Sequence, residues 1–330
     1  MNILTPFDSL EECRLLIKEG VKEFYCGYIS KTWINMFGLA QTNTNLLSIS
    51  SNKRCSVDAN VKSEEELNSV AKFINDNSAH LFVTLNAFYY PDYIYPYLDE
   101  ILSTLYRAHV YGIIVTDISL IKYIKSRYDF YLVLSCCNQV TNSNAVKFYK
   151  NLGINRITFP RHIKISEMVT ILSEFPEMDF EVFCLDGKCI YDDGNCKIIH
   201  NYGRICLEQW NYEFYKNDNN LTFEEEKNLI NAFETFNLWT DIEKEKAAND
   251  NNKWKNVTCT ACIIPEIKHY SNLKALKISG RGLSLFIKIS FIRLIKKLLI
   301  CEDKNVIVDL VSKFFGDKSL CEKHIRCMTR

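Results

Sequence analysis

With 330 residues the chain is long enough for one large α/β barrel or two ordinary domains, and its 40 basic and 40 acidic side chains leave no net field to draw it to nucleic acid or membrane. Its first twenty residues hold Asp8, Glu11 and Glu12 and lack both a basic start and an unbroken apolar run, so no secretory signal and a cytoplasmic protein are expected. In that compartment 14 cysteines point to thiol or metal chemistry rather than to a disulfide framework.

Taken in order, short apolar runs alternate with longer amphipathic ones. Phe7 to Gly20 predicts a helix, with Asp8 or Ser9 as N-cap, Glu12 at capping-box distance from Ser9 and Gly20 as the stop. Val21 to Gly27 predicts a strand, and an extended stretch from Ser56 leads into a helix beginning near Ser63. A buried strand at Leu81 to Phe88 follows, then a helix ending at Gly112 and a strand closing on Asp117. The alternation runs on: helix at Ser119 to Tyr128, strand at Phe130 to Cys137, helix at Ser143 to Gly153, strand at Ile154 to Pro160, helix at Lys164 to Phe175, strand at Phe180 to Leu185. Six such units, with a further strand at Ala275 to Gly280, imply an α/β fold whose parallel sheet closes as a (β/α) TIM-like barrel. Ligands of such folds gather at the C-terminal ends of the strands, where Asn86, Asp117, Ser135 and Arg161 fall.

Residues 217–256 break the pattern. They are rich in Asn, Glu and Lys and predict one or two surface helices inserted before the last barrel unit. The barrel is expected over residues 1–300, with a helical tail over 301–330. Leu283 to Ile300 is apolar but interrupted by Lys288, Arg293, Lys296 and Lys297, which argues against a membrane span and for an amphipathic closing helix that buries Ile287, Phe291, Leu294 and Leu298. In the tail, Cys321, His324 and Cys327 are too few for a closed zinc site.

The densest chemistry lies between Glu181 and Cys206. Cys189, Cys196 and Cys206 stand among Lys188, Asp192, Asp193, Asn195, Lys197 and Arg204, with Gly187, Gly194 and Gly203 to permit tight turns around a shared point. Buried cysteine usually behaves as a small hydrophobe, and Cys136, Cys137, Cys301, Cys321 and Cys327 read that way. The three in the polar stretch do not, and they form a metal site short of one thiolate, which Cys259 or Cys262 can supply.

Glu181, Phe183, Cys189, Gly194 and Cys196 reproduce the signature of the collagenase-like peptidase U32 family. The segments from Val83, Gly112, Ser135 and Cys262 are similar to further blocks of that family, in the same order, so the chain resembles a U32 member over most of residues 1–300. The resemblance implies a barrel holding a [4Fe-4S] cluster on Cys189, Cys196, Cys206 and Cys262, with Cys259 as the alternative fourth ligand. A divergent branch with one ligand near the N-terminus would instead implicate Cys26, Cys184 and Cys196. It also implies oxygen-independent hydroxylation of RNA or of a small aromatic molecule, by the chain alone or beside a second U32-type subunit. Peptidase or peptide-modifying activity is the alternative, and a cluster-bearing partner without activity of its own is the other. Leu185, Asp186, Lys188 and Trp210 depart from the family pattern and leave the substrate more open than the cofactor.

Within that frame Arg161 is expected to bind a carboxylate or phosphate, Asp117 and Asn86 to orient the substrate, and Tyr25 or Tyr28 to stack on an aromatic ring.

Overall fold

In a computed structural model, seven strands and their connecting helices follow one another from Asn2 to Gly187. The described residues are 1–38, 47–54, 56–187 and 257–316, with 194, 222–225, 227, 228, 231, 318, 321 and 327 besides. The elements are β1 (Asn2–Pro6), α1 (Leu10–Lys18), β2 (Glu23–Gly27), α2 (Lys31–Phe37), α3 (Glu64–Asp76), β3 (His80–Leu85), α4 (Tyr95–Arg107), β4 (Gly112–Val115), α5 (Ile118–Lys125), β5 (Tyr131–Leu134), α6 (Ser143–Asn151), β6 (Arg156–Thr158), α7 (Ile165–Glu174) and β7 (Asp179–Gly187). After the polar segment come β8 (Val257–Cys259), the one-turn α8 (Ile264–Ile267), β9 (Leu273–Ile278), α9 (Leu285–Ile300) and α10 (Lys304–Phe315).

Strands β1 to β7 pair in parallel, each with the next apart from the last closure, where β9 lies between β7 and β1. The result is a closed barrel of eight parallel strands, the TIM-barrel architecture. Helices cover the outer face, so the strands read as continuous apolar runs, as in Leu132 to Leu134, rather than alternating. Short β8 adds antiparallel to the end of β7, with Leu185 opposite Cys259.

Local chemistry sets the helix ends. The Ser9 hydroxyl accepts the Glu12 N–H and the Ser63 hydroxyl the Glu66 N–H, each worth about 1 kcal/mol. Glu12 reaches back one residue further than a capping box requires, accepting from the Asp8 N–H at 2.6 Å. The fourth helix stops earlier than Gly112: Arg107 is its last residue, and His109 takes the left-handed conformation that turns the chain. Gly112 instead opens β4, where an added Cβ would collide with the Tyr131 carbonyl, so glycine serves close strand approach here.

Two strands were not expected. β1 is only five residues long and ends on Pro6, and β8 is three residues long beside a polar segment. In α9, Lys288 is not on the wet face: it is fully buried, with its ammonium 2.8 Å from both Asp8 and Glu12. That pairing ties the closing helix to the start of the barrel. Residues 202–256 form a second compact unit. There Thr222 caps the helical residues 223–225, with the Glu225 carboxylate accepting its N–H at 2.8 Å. Among the described residues, no helix is long and apolar enough to cross a membrane.

Candidate functional site

The barrel interior holds a closed ion network. Arg156 donates to Glu23 at 2.6 and 3.2 Å and to Glu181 at 3.4 Å; Glu181 also accepts from the Lys277 ammonium at 2.7 Å and from the Thr158 hydroxyl at 2.8 Å. All five are buried, and two cations face two carboxylates. Burial alone would raise the Glu181 pKa, but Lys277 and Arg156 outweigh it and hold the carboxyl below the ordinary glutamate value. Glu181, the first residue of the signature, is thus the anchor of the interior. Phe183, the second, lies with its ring 3.9 Å from the Arg161 guanidinium and 5.6 Å from the Lys277 ammonium.

Above this network the strand ends open into a mouth built from loops. Gly27 ends β2, and any Cβ there would collide with Asn60 Oδ1 and press on Arg281 and Asn52. The space is taken by Arg281, whose guanidinium donates to the Ala59 carbonyl at 3.2 Å, Asn52 Oδ1 at 3.2 Å and Asn60 Oδ1 at 3.5 Å. Those acceptors are neutral, and burial lowers the Arg281 pKa to about 10. Asn52 leads directly to Lys53 and Arg54, and the Lys53 N–H donates to Asn86 Oδ1 at 3.2 Å. Asn86 Nδ2 reaches Ser135 Oγ at 3.4 Å, and Ser135 Oγ lies 3.3 Å from Cys137 Sγ. Arg161 Nη1 stands 4.0 Å from Cys136 Sγ.

Asn86 and Arg161 therefore meet, through Ser135 and the Cys136–Cys137 pair. Asp117 stands apart from that chain of contacts: its carboxylate caps α5, accepting the Leu120 N–H at 2.7 Å. Tyr25 and Tyr28 are 6% and 2% exposed, too buried to offer a stacking face. Exposed rings near this mouth are Tyr89 and Tyr93, in the loop that follows β3, at 73% and 61%. Buried Tyr90 between them pins that loop, its hydroxyl donating to the Ser51 carbonyl at 2.7 Å, and Lys53 lies 4.6 Å from the Phe88 ring.

Cys136 and Cys137 do not fill the core of a strand. They form a 3-10 turn just past β5, Cys136 half-buried and Cys137 buried. A hydrogen bond from Cys136 lowers the Cys137 pKa to about 6 against the effect of burial, with Lys53 adding to the shift. Gly194, between Cys189 and Cys196 in sequence, packs where a Cβ would be about 2.5 Å from the Cys137 carbonyl. Sequence reasoning ran the strand on through the pair because two cysteines at the end of an apolar run look like strand core; β5 ends at Leu134 and the turn begins at Cys136.

Of the expected cluster ligands, Cys189, Cys196 and Cys206 lie outside the described residues. Cys262 is half-buried just past β8, whose pairing with β7 sets it beside the exit toward Cys189. A hydrogen bond with Cys327 favours its thiolate and raises the Cys327 pKa. Cys327, expected as a packing residue, forms a β-bridge with Cys259. Among the described residues, no three His, Cys, Asp or Glu side chains form a group that could hold a metal ion. Cys26 and Cys184 are buried, and burial raises both thiols, Cys26 to about 12.

The model of peptidase family U32 matches residues 8–304. The chain belongs to that family. It is 27% identical to tRNA hydroxylation protein P1 of Bacillus subtilis (strain 168) over 163 residues, 47% of this chain and 38% of that one. To tRNA hydroxylation protein P of Escherichia coli (strain K12) it is 26% identical over 86 residues, 26% of this chain and 19% of that one. The U32 chain thus aligns with well under half the length of these relatives. A solved U32 peptidase aligns with a TM-score of 0.41 at 14% identity, covering 56% of this chain and 69% of the other.

Proposed function

We propose that this U32 protein acts on RNA, in the oxygen-independent hydroxylation of a tRNA base. The observation that carries the reading is the mouth of the barrel. Lys53, Arg54, Arg161 and Arg281 bring four cations to one rim, and Tyr89 and Tyr93 present exposed rings beside them. Cations that track phosphates and rings that stack on unpaired bases are what single-stranded RNA requires. The likeness to tRNA hydroxylation proteins supports the same substrate.

The cofactor of this reading is a [4Fe-4S] cluster held by Cys189, Cys196, Cys206 and Cys262. The donor chemistry of Cys262 fits, since its thiolate is favoured beside the strand that leads to Cys189. When bound, such a cluster would supply an electron-transfer or Lewis-acid centre. The protein's own part is to hold the RNA: Arg161 and Arg281 on phosphate, Asn86 on a base edge, Tyr89 and Tyr93 on base faces.

Anaerobic purification with iron and sulfide assay, beside tRNA binding at two salt concentrations, tests the proposal. About four irons per chain are expected, retained in Cys136→Ser and lost in Cys206→Ser. Affinity for tRNA should fall steeply with salt. Mass spectrometry of nucleosides from tRNA incubated with the reduced protein and a cell extract should show a base gaining one oxygen. Metal-free protein without affinity for tRNA would overturn the reading.

A further inference from the structure

Ser9, not Asp8, caps α1, and the Asp8 carboxylate is turned instead to the loop between β9 and α9. Its Oδ2 lies 2.8 Å from the fully buried Lys288 ammonium, and its Oδ1 accepts the Gly282 N–H at 3.3 Å. The Asp8 backbone is held too, its own N–H donating to Glu12 at 2.6 Å, while Glu12 pairs with the same ammonium at 2.8 Å. Gly282 follows Arg281, and these two are the central residues of a turn closed by the Leu283 N–H on the Gly280 carbonyl at 3.0 Å. Gly282 has a φ of +89°, which suits the second central residue of a type II turn. A type II turn becomes type I by rotation of its central peptide, which sends the N–H to the opposite side and moves ψ of the residue before it by about 150°. Here that residue is Arg281. The turn borders a cavity of about 370 Å³ lined by Asp8, Gly282 and Leu283 among others, and a Cβ added at Gly282 would meet no atom within 4 Å. Packing therefore leaves the peptide room to rotate, and the Asp8 carboxylate opposes it.

We propose that Asp8 is a positioning residue for Arg281, locking the Arg281–Gly282 peptide so that the guanidinium stays in its cradle at the mouth. The proposal rests on the RNA reading above for what the guanidinium meets, and adds how it is held there. The cradle consists of the Ala59 carbonyl and the Asn52 and Asn60 amide oxygens, neutral acceptors for which water can substitute. A turn with glycine on both sides of Arg281 has more backbone freedom than those three contacts remove. Lys288 completes the lock: by engaging Oδ2 it leaves Oδ1 directed at the turn. A buried ion pair at the start of the barrel thus sets the reach of a cation at its rim.

The test is a double-mutant cycle on the full-length protein, read by bulk tRNA binding and by phenylglyoxal labelling of Arg281 followed by peptide mass spectrometry. Arg281→Gln should weaken tRNA binding about tenfold and Asp8→Ala about fivefold, the scale of one lost hydrogen bond. The double variant should bind within about twofold of Arg281→Gln alone, because a residue that acts through Arg281 has nothing left to position. Labelling of Arg281 should be about fivefold faster in Asp8→Ala than in wild type. Glu12→Gln is the matched control. It removes a carboxylate from the same buried Lys288 and keeps the Gly282 contact, so it should lower the melting temperature yet leave labelling and tRNA affinity within about twofold. Faster labelling in Asp8→Ala with no tRNA binding by the wild type would uphold the lock and defeat the RNA reading. Unchanged labelling in Asp8→Ala, or an equal rise in Glu12→Gln, would overturn the lock, as would losses of tRNA affinity that multiply in the double variant.

Discussion

The interior and the mouth of this barrel treat charge in opposite ways. Inside, Arg156 and Lys277 are matched to Glu23 and Glu181 through short, buried contacts. At the mouth, Arg281 is held by neutral oxygens, and Arg161 lies on an aromatic ring and against a thiol. Matched buried ions give a unique arrangement and little net stability, whereas Arg281, seated on neutral oxygens, keeps its charge for an incoming anion. The difference separates what the signature residues do for the fold from what the loops do for a ligand.

The comparison breaks most sharply at Glu181. Glu181→Ala leaves Lys277 and Arg156 facing one carboxylate in place of two and should cost about 3–5 kcal/mol in denaturant unfolding. The sign of its pH dependence follows from the lowered pKa. Glu181 contributes stability above the ordinary glutamate range, and that share is lost as pH falls through its folded value. A melt that stays flat from neutral pH down to the ordinary glutamate range and falls below it is expected.

Gly27→Ala comes next, because its Cβ collides with the Arg281 cradle while leaving the interior ions untouched. It should destabilise by about 1–3 kcal/mol and weaken tRNA binding together, a pairing that Glu181 variants need not show. Tyr89→Ala and Tyr93→Ala should each weaken single-stranded RNA binding by about 1–3 kcal/mol with unchanged melting, read by anisotropy and calorimetry. Arg161→Gln should lower the slope of log affinity against log salt by about 1. The smallest effect belongs to Asp117→Ala. Loss of the α5 cap should cost about 1 kcal/mol and leave RNA affinity alone; a large loss of affinity would return Asp117 to the site.

Much of the barrel was legible because parallel strands buried on both faces must be apolar, and seven of the eight stood out, six before residue 190 and one near Ala275, with their helices between them. β1 was not, since five residues ending in proline carry too little pattern beside a well-capped helix. Lys288 misled for a different reason: a lysine at helical spacing looks wet unless its carboxylates, Asp8 and Glu12, are known to lie 280 and 276 positions away in sequence and adjacent in space. At the site, Asn86 and Arg161 could be read from their places after strands. Arg281, Lys53 and Arg54 could not, because loop cations carry no periodic signal and the overall charge of zero hides them. The turn at Cys136 and Cys137 was hidden by its own residue type, which at the end of an apolar run reads as more strand.

Phe183 belongs to both regions at once. Its ring is within cation–π reach of Lys277 and of Arg161, so a single side chain of β7 is shared wall for the packed ions and the open rim. Any effort to retarget this barrel by grafting new loops onto it must therefore keep that ring, because a different residue there would loosen Arg161 and the interior together, and the two failures would be inseparable in a screen that reads activity alone.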